Sequence, residues 1–254
     1  MSATTRRRFA RAALATLAGL GAACAKTLPR GLTPDQLFER GREMYQAEKW
    51  TRAREAFERL LFTAPTHPKA DSAQFLLADA HFQEESYLTA ATEYLKLAQT
   101  RPTIHLADDA RYRACLAYAE ISPRPELDQK YTEEAIGECR TLIVLYPSSP
   151  LVPDAEARIA ELRNKLARKL YLNARYYQDR GAYDSAIVYY RDLLQTYPEA
   201  RVVPAALLGL HQAYSRIGYD EEAAETRQRL LREHPMSPEA RSLGSGPTTN
   251  GERG

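Results

Sequence analysis

The chain has 254 residues, enough for one large domain or two small ones; 44% of them are hydrophobic and 27% are charged. This balance is typical of a soluble, helix-rich protein and excludes an integral membrane protein or a wholly disordered chain. The net charge of +2 comes from the first 24 residues, which hold four arginines and no acid. The rest of the chain holds 31 of the 35 basic side chains and all 33 acidic ones. It lacks the basic excess of a nucleic-acid-binding protein, so we expect no nucleic-acid partner.

Residues 1–24 have the three parts of an export signal. Arg6–Arg11 form a positive segment, Ala12–Ala23 form an apolar stretch, and Cys24 follows. As a helix, the apolar stretch spans roughly 18 Å, which is too short for a bilayer core of about 30 Å. We therefore expect a targeting segment rather than a transmembrane helix. Its arginine-rich start resembles the twin-arginine export motif, and an ordinary basic signal segment explains the same residues.

The end of this segment resembles a bacterial lipobox, Gly21–Cys24, with Gly21 where the pattern prefers Leu. The resemblance implies cleavage before Cys24 and a lipid on its sulfur. Ordinary cleavage nearby, with Cys24 lost or left free, is the alternative. Two acyl chains already give stable membrane attachment. Residues 25–33 then form a tether that reaches at most about 30 Å, so the folded part would lie close to a membrane surface.

One pattern returns five times along the rest of the chain. It has an aromatic residue, then Ala, then Leu seven residues later, then Pro after five more. The Ala positions are Ala53, Ala90, Ala135, Ala186 and Ala223, and the aromatic residues are Trp50, Tyr87, Tyr131, Tyr183 and Tyr219. In the first copy Ala53, Phe57 and Leu60 share one helical face, and Pro65 bars the preceding residue from helical geometry. A second amphipathic stretch precedes each copy, so the predicted unit is helix, turn, helix.

The spacing of the repeat is uneven. Successive prolines of the pattern lie 37, 45, 51 and 37 residues apart. Unit three has about eight extra residues around Ser122–Pro125, which predicts an irregular loop between its helices. In unit four the stretch from Val152 to Arg180 predicts one helix of nearly 30 residues, roughly 43 Å long. The composition of residues 239–254 predicts a disordered tail.

The unit resembles the tetratricopeptide repeat, a helical hairpin of about 34 residues with small residues where its helices cross. The small-residue position of the first helix holds Gly41, Ala78, Cys115, Ala174 and His211. His211 departs from the pattern, as terminal repeats often do. The resemblance implies an all-α protein of five such hairpins in a right-handed solenoid, with the long helix in unit four. Units one to three would span 34–150, and units four and five 151–238.

Known catalytic and metal-binding motifs are absent from the sequence. The five histidines are scattered, and there is no Cys-x-x-Cys pair, Gly-x-Ser-x-Gly elbow or Gly-rich phosphate loop. We therefore expect neither catalysis nor a cofactor or metal. Cys115 and Cys139 lie at core-facing positions of the two helices of unit three. Buried free thiols are the preferred expectation, and a disulfide between them is the alternative for an exported protein.

Aromatic residues recur on the first helices, which line the concave side of such a solenoid. The predicted groove residues are Phe38, Phe75 and Tyr112 at one position, Tyr45 and Phe82 at another, and Arg42 and Asp79 among them. The rings suit an extended peptide with apolar or aromatic side chains, and the two charged residues suit its main chain or terminal carboxylate. Packing between neighbouring hairpins is an equal alternative for each ring. Comparable positions in units four and five hold Arg168, Arg175, Gln212 and Arg216, which suit a protein partner or a solvated helix face.

The stretch Ile159–Pro198 is more specific than the repeat itself. It contains Ala-Arg-Tyr-Tyr followed by Arg-Gly-Ala-Tyr, and it ends in Thr-Tyr-Pro. Together with the cysteine after the export signal, the five units and the long helix, it resembles the BamD family of outer-membrane assembly lipoproteins over about residues 33–235. The turns at 146–150 and 234–238 fit the same family.

This resemblance implies a lipid-anchored scaffold on the periplasmic face of the outer membrane. Units one to three would receive the targeting segment of unfolded outer-membrane proteins. Units four and five would dock the barrel insertase BamA, beside other assembly-machine lipoproteins. Another exported repeat scaffold, of cell division or polysaccharide export, is the alternative, because one scaffold serves many partners. A repeat domain assisting a hydrolase is a third hypothesis, for which the chain offers no catalytic constellation.

Overall fold

The computed structural model describes residues 28–244, and its main compact unit begins at Thr33. Within the described range the regular secondary structure is entirely helical. The helices are α1 (Pro34–Gln46), α2 (Trp50–Thr63), α3 (Ala70–Gln83), α4 (Tyr87–Thr100), α5 (Ala107–Glu120), α6 (Lys130–Leu145), α7 (Val152–Gln178), α8 (Tyr183–Thr196), α9 (Val203–Ile217), α10 (Asp220–Glu233) and α11 (Pro238–Gly244). The export signal, Cys24 and the start of the predicted tether, up to residue 27, lie outside the described residues.

Consecutive helices pair into five hairpins, from α1 with α2 to α9 with α10, and each helix packs mainly on its neighbours in the chain. This confirms the predicted all-α stack of hairpins. The repeated Ala and Leu residues are buried at the contacts, as Ala53 and Leu60 show in α2. The long helix predicted in unit four is α7, which has 27 residues.

Local signals set the ends of the first helix and of the turns. Thr33 caps α1 through a reciprocal pair of hydrogen bonds: its hydroxyl accepts from the backbone of Gln36, and the Gln36 side chain accepts from the backbone of Thr33. Between the helices of a hairpin the backbone passes through the left-handed region. The residues there are Glu48 and Glu85 in units one and two and Gly181 and Gly218 in units four and five.

The insert of unit three is an ordered loop between α5 and α6. The side-chain amide of the buried Gln129 donates to the carbonyl oxygens of Arg124 and Leu127, at 2.8 and 3.1 Å. Two lysines one turn apart on α7 hold the loop from the next unit. Lys165 donates to the Ser122 hydroxyl at 2.8 Å, and Lys169 donates to the carbonyl of Leu127 at 2.7 Å. The loop therefore also braces the junction between units three and four.

The predicted disordered tail needs one correction. Residues Pro238–Gly244 form the short helix α11, with Ala240 buried and Leu243 packed against the core of units four and five. The composition does not predict this helix, because Gly, Ser and Thr dominate residues 239–254 as a whole. Its few apolar residues are ordered by packing on the core. Residues 245–254 lie outside the described residues.

The helices of each hairpin cross closely at the small-residue position. A methyl group on Gly41 would overlap the ring of Phe57, which is fully buried against it. Gly209 on α9 makes the equivalent room for the ring of Tyr190, which comes from the preceding unit. His211, the exception in the sequence pattern, donates from Nδ1 to the carbonyl oxygen of Ala223 at 2.9 Å. In the last hairpin a hydrogen bond therefore joins the two helices at this position.

Candidate functional site

The ring of Phe38 is packed inside the first hairpin. Its side chain is 7% exposed, and its centroid lies 6.1 Å from that of Phe57 on α2. Phe75 repeats this pairing in the second hairpin, 5.3 Å from Tyr94 on α4, and is partly buried. The expectation that Phe38 lines an open groove is therefore wrong, and the packing alternative holds for this ring. Phe38 packs on Phe57, which lies 19 residues later in the same hairpin.

The second predicted ring position lies where each hairpin turns. Tyr45 meets Trp50 edge to face at 5.0 Å, and Phe82 meets Tyr87 in the same way at the same distance. Tyr112 packs against the cluster that contains the cysteines of unit three. Phe75, Phe82 and Tyr112 each keep part of their surface accessible. Tyr45 is also partly exposed, but its hydroxyl is bonded to Asp79, so Phe75, Phe82 and Tyr112 are the partly exposed rings without that bond.

Asp79 is not available to a ligand as predicted. The residue is 4% exposed, and both of its carboxylate oxygens accept hydrogen bonds from side chains of the protein. The Tyr94 hydroxyl donates to Oδ1 at 2.7 Å, and the Tyr45 hydroxyl donates to Oδ2. Burial and the neighbouring carboxylate raise the pKa of both tyrosine hydroxyls above the usual value, so both remain protonated donors. Arg113 of α5 completes the cluster, 3.7 Å from Oδ1.

The Asp79 cluster joins three successive hairpins, because Tyr45 belongs to unit one, Tyr94 to unit two and Arg113 to unit three. The residues that meet across units lie 34 apart in sequence, as Tyr45 and Asp79 do. Equivalent positions in the first helices of units one to three, in contrast, lie 37 apart. The 37-residue spacing relates residues that face the same way. The shorter spacing finds residues that touch, and it would have identified Arg113.

Two arginines of the first three units remain accessible. Arg42 lies on the exposed side of α1, where its guanidinium is 6.0 Å from the Phe38 ring centre and 3.4 Å from a Glu39 oxygen. Arg113 is 41% exposed although it approaches Asp79. Guanidinium groups bind carboxylates through paired hydrogen bonds. Arg42 and Arg113, with the edges of Phe75, Phe82 and Tyr112, form what we call the N-terminal surface.

Units four and five repeat the 34-residue contact with neutral groups. The side-chain amide of Gln178 donates to Gln212 at 3.3 Å, and the Tyr190 hydroxyl donates to Gln178 at 2.6 Å. Arg175 donates to the Tyr171 hydroxyl at 3.5 Å, and burial raises the pKa of Tyr190. Gln212 and Arg175 therefore take part in internal contacts.

Exposed basic residues remain on α7 and α9 outside those contacts. They are Arg168, 5.2 Å from the centre of the Tyr171 ring, and Arg216 near the end of α9. Tyr176 is also exposed, and the guanidinium of Arg180 lies 3.5 Å from the centre of its ring. Arg168, Arg216, Tyr176 and Arg180 are named the C-terminal surface below.

The two cysteines of unit three are joined. Cys115 on α5 and Cys139 on α6 form a disulfide with their Cα atoms 5.4 Å apart. The structure therefore contradicts the preferred expectation of free thiols and contains the alternative. Both side chains are fully buried. Cys115 stands at the position that Gly41 has in unit one, and Cys139 stands at the position of Phe57, which contacts Gly41 there. Two small thiols at these positions leave room for a bond where units one, two and four place a ring.

The described residues hold neither a cluster of potential metal ligands nor a helix suited to crossing a membrane. Across residues 28–244, no three or more His, Cys, Asp or Glu side chains gather as a metal site would require. In the same range no helix is both long and apolar enough to cross a membrane. What the geometry provides is a stack of hairpins with two partly open, arginine-bearing surfaces.

The fold and these surfaces define a tetratricopeptide-type helical-repeat protein, a class that presents side chains of successive hairpins to its partners. The chain belongs to the YfiO family of outer membrane lipoproteins, the BamD family, whose model matches residues 30–230. This confirms the family resemblance drawn from Ile159–Pro198.

Curated relatives match along most of their own length. The outer membrane protein assembly factor BamD of Neisseria meningitidis is 28% identical, with 80% of each chain covered. BamD of Xylella fastidiosa is 25% identical, covering 84% of this chain and 76% of the relative, and BamD of Vibrio cholerae is 24% identical, covering 80% and 88%. Among solved structures, the TPR2AB domain of yeast Sti1 in complex with an Hsp90 peptide is 14% identical, with a TM-score of 0.42 and coverage of 82% of this chain and 80% of that one.

Proposed function

We propose that this protein is a non-enzymatic scaffold for the assembly of outer-membrane β-barrel proteins. The observation that carries the proposal is the family match from residue 30 to residue 230, which spans all five hairpins and both surfaces. Relatives that share this length are named outer membrane protein assembly factors. A scaffold with that role holds its partners at fixed positions relative to one another. A stack of hairpins provides the extended surface that this requires.

We assign the N-terminal surface to unfolded outer-membrane proteins. The exposed edges of Phe75, Phe82 and Tyr112 offer apolar contacts to an extended segment. Arg42 and Arg113 supply positive charge for its terminal carboxylate. Asp79 holds the hairpins that carry these residues and does not itself bind the segment.

We assign the C-terminal surface to the barrel insertase BamA, with other assembly-machine lipoproteins as further partners. Arg168 and Arg216 are exposed, and Tyr176 presents half of its surface beside the guanidinium of Arg180. Arginine and tyrosine are the residues most often found at the centres of protein interfaces. The two assigned surfaces lie on opposite sides of the braced junction between units three and four, so both partners can be held at once.

We place the protein on the periplasmic face of the outer membrane, attached through lipid on Cys24. The support is the lipobox-like sequence Gly21–Cys24 and the lipoprotein family to which the chain belongs. Two or more acyl chains suffice for stable attachment without a membrane-spanning helix.

Affinity purification of the full-length protein from envelope membranes tests the proposal. We expect the barrel insertase to co-purify, and the double variant Arg168→Ala with Arg216→Ala to reduce its recovery. A matched variant, Arg42→Ala with Arg113→Ala, should keep the insertase and reduce photo-crosslinking to a synthetic C-terminal segment of an outer-membrane protein. Recovery of division or polysaccharide-export proteins in place of the insertase would favour the alternative scaffold and overturn the proposal.

A further inference from the structure

One edge of the solenoid carries the most exposed apolar side chains of the described residues. We call it the proline edge and define it by the turns after the second helices, at 64–69, 101–106, 146–151, 197–202 and 234–237. Phe62 is 88% exposed, Met236 79% and Val144 75%, and each lies in one of these turns or two residues before it. Single exposed apolar residues are ordinary on a protein surface. Here the three most exposed ones share a single edge.

The turns of the proline edge are tied to one another and to the helices beside them. The hydroxyl of Tyr146 donates to the carbonyl oxygen of Pro102 in the neighbouring turn at 3.0 Å. Arg101 pairs with Asp71, at the start of α3, at 3.0 Å. These contacts tie the edge together across units two and three.

The chain enters the first hairpin at this same edge. Asp35 lies in the first turn of α1, directly after the predicted tether, and it pairs with Lys69 at 3.1 Å and with His67 at 3.7 Å. His67 and Lys69 belong to the turn that follows α2 and Phe62. Since residues 25–33 reach at most about 30 Å, a lipid on Cys24 would hold this edge, at unit one, near the bilayer.

The charge of the turns distinguishes the two edges. The proline-edge turns hold three basic residues and one acidic residue, and most of these charges are paired: Lys69 with Asp35, Arg101 with Asp71, and Glu199 with Arg163. The turns of the opposite edge, at 47–49, 84–86, 121–129 and 179–182, hold six acidic and three basic residues. Anionic phospholipid surfaces attract basic segments and repel acidic ones. The paired charges therefore give the proline-edge turns little attraction of their own to an anionic surface, while the more acidic turns of the opposite edge would be repelled by it.

We infer that the proline edge lies against the phospholipid surface, with Phe62 and Val144 in the interfacial layer. Apolar side chains beside neutral or basic groups are typical of proteins that lie on a membrane. The lipid anchor attaches the protein to the membrane, and the edge contact sets the orientation of the solenoid relative to the membrane surface. This inference rests on the proposed lipid anchor at Cys24.

Depth-dependent fluorescence quenching on the full-length lipoprotein tests the contact. The protein is bound to vesicles of phosphatidylethanolamine and phosphatidylglycerol and carries an environment-sensitive probe at Phe62→Cys or Val144→Cys. Matched probes at Leu88→Cys and Tyr219→Cys, exposed residues at the opposite edge, serve as controls. Cys115 and Cys139 are disulfide-bonded and take up no label. We expect a blue shift and quenching by lipid-attached quenchers at 62 and 144, and neither at 88 and 219.

Other outcomes separate this inference from the proposed function. Flotation with the vesicles without quenching at 62 and 144 would overturn the edge contact and leave the anchor intact. Equal quenching at all four positions would do the same, because the solenoid would then have no fixed orientation. Shielding of 62 and 144 only after purified insertase is added would make the edge a protein interface and overturn the lipid contact. Failure of the lipoprotein to float would overturn the anchor and the edge contact together.

Discussion

Cys139 is bonded to Cys115 at the same two positions where Phe57 fills the space above Gly41 in the first hairpin. The cysteines are 24 residues apart, whereas Gly41 and Phe57 are 16 apart, and the difference is the insert of unit three. The hairpin with the longest connection is thus the one closed by a covalent bond. A longer connection leaves more freedom in the unfolded chain, which a crosslink removes.

Removing this disulfide should lower stability. We expect Cys115→Ala with Cys139→Ala to reduce the free energy of unfolding by about 3–4 kcal/mol, since the bond closes a 24-residue separation. Urea unfolding without reductant measures the loss. Intact mass under non-reducing conditions should be two hydrogens below that of the reduced chain. A free-thiol mass in protein purified from the periplasm would contradict the bond.

The Asp79 cluster should matter for stability. Asp79→Ala leaves the hydroxyls of Tyr45 and Tyr94 without their acceptor, at a cost of about 1–3 kcal/mol for each buried group. Chemical unfolding of the variant measures the sum. Arg113→Ala is the control, because its guanidinium is 41% exposed and an ion pair of that kind contributes about 1 kcal/mol or less. Equal losses in the two variants would show that the carboxylate is not the centre of the cluster.

Phe38 and Phe62 form a matched pair for the packing assignment. Phe38→Ala removes a buried ring and should lower the free energy of unfolding by about 3–5 kcal/mol. Phe62→Ala alters a side chain that is 88% exposed and should change it by no more than about 0.5 kcal/mol. Thermal and urea unfolding measure both. A stable Phe38→Ala protein with weakened peptide binding would restore the groove assignment of this ring.

Backbone conformation at the hairpin turns gives a fourth prediction. Gly218 has a φ of +78°, and a Cβ atom there would meet nothing within 4 Å, so Gly218→Ala tests conformation alone. We expect a loss of about 1–2 kcal/mol, the cost of placing a Cβ-bearing residue in the left-handed region. Glu85 has a φ of +60°, and Glu85→Gly should leave stability unchanged or raise it. A stabilised Gly218→Ala protein would show that the turn adopts another conformation.

His81 should make stability depend on pH. Burial, and then the positive charge of Arg54, lower the pKa of its imidazole from the usual 6.5. The unfolded chain therefore binds this proton more tightly than the folded protein does. The contribution of His81 is fully present above pH 6.5 and is lost as the pH falls through the folded pKa.

The test of that prediction is the thermal midpoint measured from about pH 7 to about pH 5. The midpoint should fall with pH in the natural protein, and His81→Gln should make this fall shallower. His105→Gln, at an exposed position in the turn after α4, is the control and should keep the full slope. An unchanged slope in His81→Gln would assign the pH dependence to other groups.

Much of the candidate site depended on contacts that a single repeat does not reveal. Phe38 and Phe75 have the same place in the pattern, yet Phe38 is buried and Phe75 keeps an accessible edge, because each ring responds to the helices around it. The repeat pattern predicted Asp79 as a groove residue, whereas in the structure two tyrosine hydroxyls and a guanidinium, from three hairpins, surround its carboxylate. The 37-residue spacing of the pattern did not predict a role for Arg113, because Arg113 contacts Asp79 at a separation of 34 residues.

By itself the sequence determined helices α1 to α10, the turns between them, the place of the insert and the approximate length of α7, together with the family. These features are local: the spacing of Ala, Leu and Pro sets which residues share a helical face and where each helix ends. Only the tertiary structure decided that Cys115 meets Cys139, that Asp79 is enclosed and that residues 238–244 fold onto the core. Whether a side chain is buried, bonded or open depends on how neighbouring hairpins are offset, and that offset is a property of packing between units.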